Sequence, residues 1–270
     1  MAMSEDLERR FGGLRRLYGD AGYARVRQAC VAVVGLGGVG SWAVEALARS
    51  GVAKLILIDL DHVSESNINR QIQATSQTLG LSKGIALQQH IADIHPQCEV
   101  VVIEEFVEES NWPQLLDIGV DLGLNALDGL IDACDQVKAK EAMLKWYCGL
   151  LATKEKMQSS FVPAMVCVGA AGGKQLPTAI AAADLSEVTH DPLLASLRSK
   201  LRKQNVVGRS GLMGLMCIYS AESVRLPISL QQACAPEPNL ACHGYGSSVM
   251  VTASFGMAAA AELVHQILLR

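Results

Sequence analysis

Short apolar runs alternate with longer amphipathic stretches through the first part of the chain. The apolar runs are about four to eight residues long and are bounded by turn residues, which is typical of buried strands. Strands that alternate with helices form a mostly parallel sheet with helices packed on its faces. The chain is therefore predicted to be an α/β protein, with strands over residues 30–36, 54–59, 99–103, 129–133 and 163–168 and helices over residues 39–50, 83–94 and 137–149.

The second part of the chain has a different texture. The stretch GAAGGKQLPTAIAAADLS is rich in glycine and small residues, a helix is predicted near residues 191–204, and a Cys/Pro loop spans residues 227–244. No Pro/Ser-rich linker or internal repeat divides the chain. We therefore expect residues 170–270 to complete the sheet begun by residues 1–169, within one continuous domain.

Composition narrows the class of protein. Half of the 270 residues are apolar, which excludes global disorder, and a formal net charge of -4 gives no overall attraction to nucleic acid or anionic lipid. The eight cysteines form no C-x-x-C pair, and the N-terminus MAMSEDLERR is charged where a secretory signal would be apolar. We therefore expect a reduced, cytoplasmic protein without a structural zinc site.

One segment complicates this prediction. Residues 246–269 are nearly free of charge and are long enough to cross a bilayer. The segment is rich in Ala, Ser, Thr and Gly, however, and it contains Glu262 and His265, which are costly in hydrocarbon. We expect a buried or dimer-facing helix, with membrane association as the alternative.

A glycine-rich turn follows the first predicted strand. In VAVVGLGGVG, Gly35, Gly37 and Gly40 match the G-x-G-x-x-G pattern of a Rossmann-like nucleotide site. The phosphates are expected on the helix that begins near Gly38, because a helix N-terminus offers free N–H groups. Asp59 ends the next strand, where it can accept hydrogen bonds from ribose hydroxyls. This pattern predicts a bound nucleotide but does not choose between NAD and ATP.

The polar residues just beyond Asp59 favour ATP. A dehydrogenase has no evident use for Asn67, Arg70 and Lys83 here, whereas Arg and Lys suit a triphosphate because they neutralise its oxygens and the leaving pyrophosphate. Asp61, in the same stretch, is a further candidate nucleotide-binding residue. The simpler alternative is a solvated charged loop.

Two further carboxylates follow an apolar strand in LIDACD. Asp132 and Asp135 are expected at the same edge of the sheet as Asp59, where carboxylates are natural ligands for a Mg²⁺ ion that bridges phosphates. We favour Asp135 as the metal ligand. Asp132 has the alternative role of capping the following helix.

In combination these motifs resemble the ubiquitin-activating-enzyme superfamily, which includes the adenylating enzymes of thiamine and molybdopterin biosynthesis. Within it, the chain is most similar to the family of dehydratases that act on threonylcarbamoyladenosine in tRNA. The resemblance covers most of the chain and rests on RFGGLRRLYG at 10–19, VVGLGGVGSWAVEALARSGV at 33–52, LIDLDHVSESNINRQI at 57–72, GLSK at 80–83, IDACD at 131–135, GAAGG at 169–173, DPLLASLRSKLRK at 191–203 and CHGYGSSVMVTASFG at 242–256.

The resemblance implies an ATP-dependent enzyme that converts a carboxylate into an acyl-adenylate. The carbamoyl group of the same nucleoside then closes onto the activated carbon, so that water is lost and no covalent enzyme intermediate is required. By resemblance, the catalytic and ATP-binding residues are the glycines around Gly37, with Asp59 on the ribose, Asn67, Arg70 and Lys83 on the phosphates, and Asp135 on magnesium.

The resemblance also implies partners. An N-terminal arginine, Arg16 more than Arg10, would reach the ATP of a second subunit, which implies a homodimer. A sulfur-transfer protein is a further partner associated with the family. Cys234 and Cys242 lie in the Cys/Pro loop, where a thiol nucleophile is the alternative to a packing role.

A dense basic island interrupts this acidic chain. Basic islands bind RNA phosphates without reading sequence, which makes this one the candidate tRNA contact; the alternative is a solvated helix face. Its residues are Arg198, Lys200, Arg202, Lys203 and Arg209.

Two stretches depart from the family pattern. Gly84 follows Lys83 where relatives carry a small aliphatic residue, and residues 149–161 align poorly, so no functional residue is assigned there. Three alternative functions remain open: adenylation of a ubiquitin-like sulfur carrier, NAD-dependent oxidoreduction, and a nucleotide-sensing or membrane-associated scaffold.

Overall fold

The computed structural model describes residues 6–119, 127–157, 161–225 and 245–270. Seven strands in these ranges form one sheet, ordered β3-β2-β1-β4-β5-β7-β6. All neighbours pair in parallel except β6 with β7, so the predicted mostly parallel sheet is confirmed. The strands are β1 Cys30–Val34, β2 Lys54–Ile58, β3 Glu99–Ile103, β4 Gly129–Asp132, β5 Ala164–Val168, β6 Ile180–Asp184 and β7 Met216–Ser220.

Helices cover both faces of the sheet. They are α1 Leu7–Phe11, α2 Arg15–Gln28, α3 Gly40–Arg49, α4 Lys83–Ile94, α5 Leu115–Gly119, α6 Val137–Met157, α7 Pro192–Lys203 and α8 Val249–Leu268. The strand β1 is buried on both sides, with Ala32 and Val34 in the core with α6 and α7, and Val31 and Val33 in the core with α3 and α8. This double burial explains why the strands read as continuous apolar runs.

The structure extends the sequence prediction in three places. The helix α6 continues past the expected end at residue 149, because Leu150 and Leu151 still pack against the core. The N-terminal helices α1 and α2 were not predicted. The strands β6 and β7, also not predicted as strands, extend the sheet beyond β5 as the second part of the chain was expected to do.

The C-terminal helix α8 packs on α3. It is the one helix within the described ranges that is long and apolar enough to cross a membrane, yet half of it is buried inside the chain, as in a core helix. Gly256 allows the close approach, since a methyl group there would lie 2.4 Å from the carbonyl oxygen of Val39 and 2.8 Å from the amide nitrogen of Ala43. This contact agrees with the prediction of a buried helix.

Replacing Gly256 with alanine is expected to destabilise the fold. The atoms it would meet are mostly backbone, so the free energy of unfolding should fall by about 1–3 kcal/mol, the usual cost of overpacking. Gly149→Ala is the matched control: this helical glycine is exposed with nothing within 4 Å, so alanine should stabilise α6 by about 0.5–1 kcal/mol. Urea unfolding measures both, and equal effects would contradict the packing shown by α8.

A buried carboxylate joins α3 to α4. Glu45 is 3% exposed, and it contacts the imidazole Nε2 of His90 at 2.8 Å and the guanidinium of Arg49. The hydrogen bond to Glu45 raises the pKa of His90 above its usual value. Protonated His90 therefore favours the folded state.

This linkage predicts a pH dependence. The stability advantage of the wild type over His90→Gln should be complete below the pKa of a free histidine, about 6.5, and lost as pH rises through the raised value in the fold. Urea unfolding across this range measures it, with His265→Gln, at an exposed position on α8, as the control. An advantage that grows with rising pH would contradict the arrangement.

Candidate nucleotide-binding site

Two glycines make the turn after β1 possible. Gly35 has a φ of +84°, and its N–H donates to the carbonyl of Ile58 at 2.9 Å. A methyl group at Gly40 would lie 1.7 Å from the carbonyl oxygen of Gly35, so no side chain fits between β1 and α3. The assigned turn and packing roles of these glycines match this geometry.

The other two glycines border the space above the turn. A methyl group at Gly38 would meet Arg70 and Thr252 at 3.2 Å, whereas the nearest atom to one at Gly37 is the Gln71 Nε2, at 4.0 Å. The backbone at Gly37 is therefore open to a ligand. Because α3 begins at Gly40, the positive end of its dipole lies beside this opening, as an anion requires.

Asp59 is held rigidly at the end of β2. Its carboxylate accepts from the N–H of Leu36 at 2.6 Å and from that of Asp61 at 2.8 Å. Its side chain is 9% exposed, and burial raises its pKa despite the opposing charge of Lys83 and these backbone bonds. The Asp59 carboxylate is thus hydrogen-bonded to the glycine turn and lies at the end of β2.

Lys83 is the first residue of α4 and lies against both acids. Its ammonium group is 2.7 Å from Asp61 Oδ2 and 3.8 Å from Asp59 Oδ1, and its side chain is 7% exposed. The backbone N–H of Lys83 donates to the Asp61 carbonyl at 3.0 Å. An ammonium carries three donors, so this pairing leaves capacity for a phosphate oxygen.

The backbone of Arg70 is held by hydrogen bonds, whereas its guanidinium has no ion-pair partner in the described ranges. Its carbonyl accepts from the Trp42 indole at 3.0 Å and from the Thr252 hydroxyl at 3.4 Å, which ties it to α3 and α8. The guanidinium bonds the carbonyl of Ser66 and, at 2.9 Å, the Asn69 Oδ1. Within the described ranges it pairs with no carboxylate, so its charge is available to an anion.

Asn67 lies a few residues before two glutamines, Gln71 and Gln73, that border the glycine turn. Asn67 is buried, and its Oδ1 accepts from the N–H of Ser64 at 3.2 Å. Gln73, which the sequence reasoning missed, donates to the Leu36 carbonyl at 2.9 Å and to the Gln71 Oε1 at 3.2 Å. The two glutamine amides therefore contact or border the glycine turn, whereas the Asn67 amide holds its own segment. No motif marks Gln73, whose sole signal is its nearness to Arg70 in the chain.

The two aspartates after β4 have different surroundings. Asp135 is exposed and makes no hydrogen bond or ion pair with the described part of the chain. Asp132 is fully buried, 3.0 Å from the ammonium of Lys140, which is also fully buried. It does not cap α6; its Oδ1 accepts from the N–H of Cys134 at 3.3 Å. Lys140 was missed because a lysine in an amphipathic helix usually indicates an exposed face.

The N-terminal arginines also differ. Arg10 donates to the carbonyls of Ile94 and Asp93, at 2.7 and 3.2 Å, and so caps α4. Arg15 pairs with two acids of its own segment. Arg16 is exposed and makes no hydrogen bond or ion pair with residues that the structure describes.

The basic island is divided between internal and exposed roles. Arg198 donates to the carbonyls of Leu185 and Val188, at 3.0 and 2.8 Å, and holds the segment before α7. Lys200 lies 3.5 Å from Glu141, early in α6, six residues after Asp135 in the sequence. The Nε of Arg202 is buried without a partner in the described chain, whereas Lys203 and Arg209 are exposed. Cys234 and Cys242 lie outside the described residues.

Comparison with known proteins places this geometry in context. The ThiF family matches residues 11–269. The tRNA threonylcarbamoyladenosine dehydratase of Haemophilus influenzae is 37% identical over 271 residues, covering 99% of this chain and 97% of that protein. The protein of the same name from Escherichia coli is 36% identical over 277 residues, covering 99% and 97%.

Solved structures give the same result. The E. coli tRNA N6-threonylcarbamoyladenosine dehydratase, TcdA, in complex with ATP superposes with a TM-score of 0.81 at 34% identity, covering 100% of this chain and 98% of that chain. The same protein in complex with AMP gives a TM-score of 0.80 at 34% identity, with the same coverage.

Gly37 and Gly40 of the glycine turn should respond differently to substitution by alanine. Gly40→Ala is expected to lower the free energy of unfolding by about 3 kcal/mol because its methyl group meets a backbone carbonyl. Gly37→Ala should leave stability within about 0.5 kcal/mol of the wild type and weaken nucleotide binding. Urea unfolding and calorimetric titration with ATP measure these effects. Unchanged ATP affinity in Gly37→Ala would remove the opening from the site.

Proposed function

Because the chain belongs to the ThiF family, we propose that it uses ATP to dehydrate threonylcarbamoyladenosine in tRNA. The observation that carries the proposal is the open backbone at Gly37 between two neighbours with charged contacts: Leu36 donates to the carboxylate of Asp59, and a methyl group at Gly38 would lie 3.2 Å from Arg70, whose guanidinium pairs with no carboxylate in the described ranges. The full-length similarity to the two bacterial dehydratases supports the choice of substrate.

The chemistry begins with a poor electrophile. A carboxylate repels nucleophiles and has no good leaving group, so one carboxylate oxygen first attacks the α-phosphorus of ATP and pyrophosphate departs. The carbamoyl group of the same nucleoside then attacks the acyl carbon, and AMP leaves with that carboxylate oxygen. The nucleoside loses the elements of water. The closure is intramolecular, so proximity supplies much of its rate without an enzyme nucleophile.

Each residue of the candidate nucleotide-binding site has a distinct role in this proposal. Asp59 accepts the ribose hydroxyls, and the backbone at Gly37 lies under the phosphates. Arg70 and Lys83, supported by Asn67, neutralise charge that develops on the phosphates as pyrophosphate leaves. Electrostatic stabilisation of this kind is usually the largest single contribution to the rate of such a step.

Magnesium is the second proposed cofactor. No cluster of three or more acids, histidines or cysteines in the described ranges could hold a metal alone. The exposed carboxylate of Asp135 nevertheless fits Mg²⁺, which binds through one or two carboxylates and completes its shell with water and substrate phosphates. Held by Asp135, the ion would supply positive charge that neutralises the phosphates.

Contacts to tRNA are assigned to the basic island. Lys203 and Arg209 are exposed, and Lys200 is brought close to the start of α6. We assign phosphate contacts to these three, with Arg202 beside them, because such contacts need no base reading. Arg198 supports the segment through its two carbonyl bonds rather than by contact with RNA.

A homodimer completes the proposal. Arg16 and its neighbour Leu17, 71% exposed, project from α2 without a described partner for the arginine. We assign Arg16 to the nucleotide of a second subunit. The reaction is placed in the cytoplasm, where tRNA is found, and a sulfur-transfer protein is an additional partner to be tested separately.

The direct test is ATP–pyrophosphate exchange. Purified protein is assayed with tRNA that carries threonylcarbamoyladenosine, with unmodified tRNA, and with a ubiquitin-like sulfur carrier. The proposal expects exchange with the modified tRNA alone. Exchange with the carrier would replace the substrate, and NADH oxidation without exchange would restore the dehydrogenase alternative.

Removal of the charged heads should separate activity from stability. Arg70→Ala and Asp135→Asn are expected to lower exchange about 10²- to 10³-fold, since each removes a group that stabilises transition-state charge. Unfolding free energies should stay within about 0.5 kcal/mol, because neither side chain pairs with a charge among the residues that the structure describes. The exposed residues Arg9 and Asp117 supply the controls Arg9→Ala and Asp117→Asn, and wild-type exchange in either site variant would remove that residue from the mechanism.

A further inference from the structure

A fully buried ion pair lies beneath the nucleotide site. The ammonium of Lys140 is 3.0 Å from the Oδ1 of Asp132, and both side chains are 0% exposed. The same ammonium donates to the carbonyl of Val168 at 2.7 Å and to that of Asp132 at 3.3 Å. It therefore joins the carboxyl ends of β4 and β5.

Two thiols complete this cluster. The Sγ of Cys134 is 3.0 Å from Asp132 Oδ1, and the Sγ of Cys167 is 3.4 Å from Asp132 Oδ2, so both lie within donor distance of the carboxylate. A hydrogen bond with Cys217, together with burial, raises the pKa of Cys167. The charged members of the cluster are the Asp132 carboxylate and the Lys140 ammonium.

Stability alone does not explain such a pair. Taking two charges out of water costs about as much as their attraction returns, and apolar residues of similar volume often serve a fold equally well. The pair does restrict the local geometry, because an ammonium and a carboxylate that share several hydrogen bonds with the backbone fit together in only one orientation.

The ion pair holds the turn formed by residues 133–135. Asp132 accepts from the Cys134 N–H at 3.3 Å, and the Ala133 N–H donates to the Val34 carbonyl at 2.8 Å. A methyl group at Gly35 would lie 2.7 Å from the Cys134 amide nitrogen, so this turn packs directly on the glycine turn. The next residue in the turn is Asp135.

We propose that Lys140 and Asp132 are positioning residues, whose ion pair fixes residues 133–135 so that Asp135 faces the nucleotide above the glycine turn. This role rests on the proposed function, because it assigns Asp135 to the magnesium that accompanies ATP. Neither residue touches the nucleotide; both act through the backbone of Cys134.

The test removes both charges at once. Asp132→Asn with Lys140→Met keeps the volumes similar. Lys145→Met is the control, since Lys145 is on the same helix, is partly exposed and pairs with Glu141 at 2.9 Å. Calorimetry measures ATP binding with and without Mg²⁺ and AMP binding without it, and hydrogen exchange measures the amides of residues 133–136. Urea unfolding checks that the double variant is folded.

The proposal expects a local loss. The Mg²⁺-dependent gain in ATP affinity should fall about 10- to 100-fold, as when an outer partner of a metal ligand is removed, with AMP affinity unchanged. Amides 133–136 should exchange faster while those of β1 keep their protection. A folded double variant would overturn the proposal if its ATP binding depended on Mg²⁺ as in the wild type and its amides at residues 133–136 exchanged hydrogen at the wild-type rate.

Two further variants keep the outcome decisive. If the double variant does not fold, Asp132→Glu retains both charges but shifts the carboxylate by one methylene; it should weaken Mg²⁺-dependent ATP binding, and unchanged binding would overturn the proposal. Asp135→Asn tests the metal assignment itself. If it leaves Mg²⁺ dependence intact, the proposed function loses its metal ligand, and exchange at residues 133–136 alone decides the positioning role.

Discussion

The close approach of three backbones at Gly35 is the constraint on which the site depends. Gly35 bonds the end of β2 through Ile58, lies against α3 at Gly40 and packs on the turn after β4 at Cys134. Any side chain at Gly35 or Gly40 would separate these elements. Because β1, β2 and β4 are adjacent parallel strands, their carboxyl ends meet at one edge, and this contact sets how closely the polar residues there can gather.

The charged residues around this contact fall into two groups. Lys83 lies between the buried Asp59 and the exposed Asp61, and Lys140 forms a fully buried pair with Asp132. These contacts hold strand ends and helix starts in place. The side chains of Arg70 and Asp135 pair with no described opposite charge, and the same holds for Arg16, which lies on α2. The first group shapes the site, and the proposed chemistry also assigns Asp59 to the ribose and Lys83 to the phosphates. The second group supplies the groups that the proposed chemistry assigns to the phosphates, the metal and a second subunit. Unpaired charge at the edge of an otherwise paired site is what a charged ligand requires.

Sequence reasoning predicted the central strands and the helices α3 and α4 because these combine apolar periodicity with a glycine turn. It did not predict β6, whose sequence IAAAD has weak strand propensity and is a strand through its pairing with β7. The glycine and acid motifs marked candidate residues but not their burial. The sequence favoured Asp135 over Asp132 as the metal ligand but did not show that Asp132 is buried, and Lys140 and Arg198 look like surface charges. Their partners are long-range contacts that no local pattern encodes.

The central claim is that the substrate carboxylate is activated as an acyl-adenylate, so that one of its oxygens leaves with AMP. Modified tRNA labelled with a heavy oxygen isotope in the carboxylate of threonylcarbamoyladenosine, incubated with the protein, ATP and Mg²⁺, tests this directly by mass spectrometry of the products. The account predicts one labelled oxygen in the phosphate of AMP for each nucleoside cyclised, and none in pyrophosphate. Label in inorganic phosphate with formation of ADP would show activation by phosphorylation, and cyclisation with unlabelled AMP would contradict adenylation of the carboxylate.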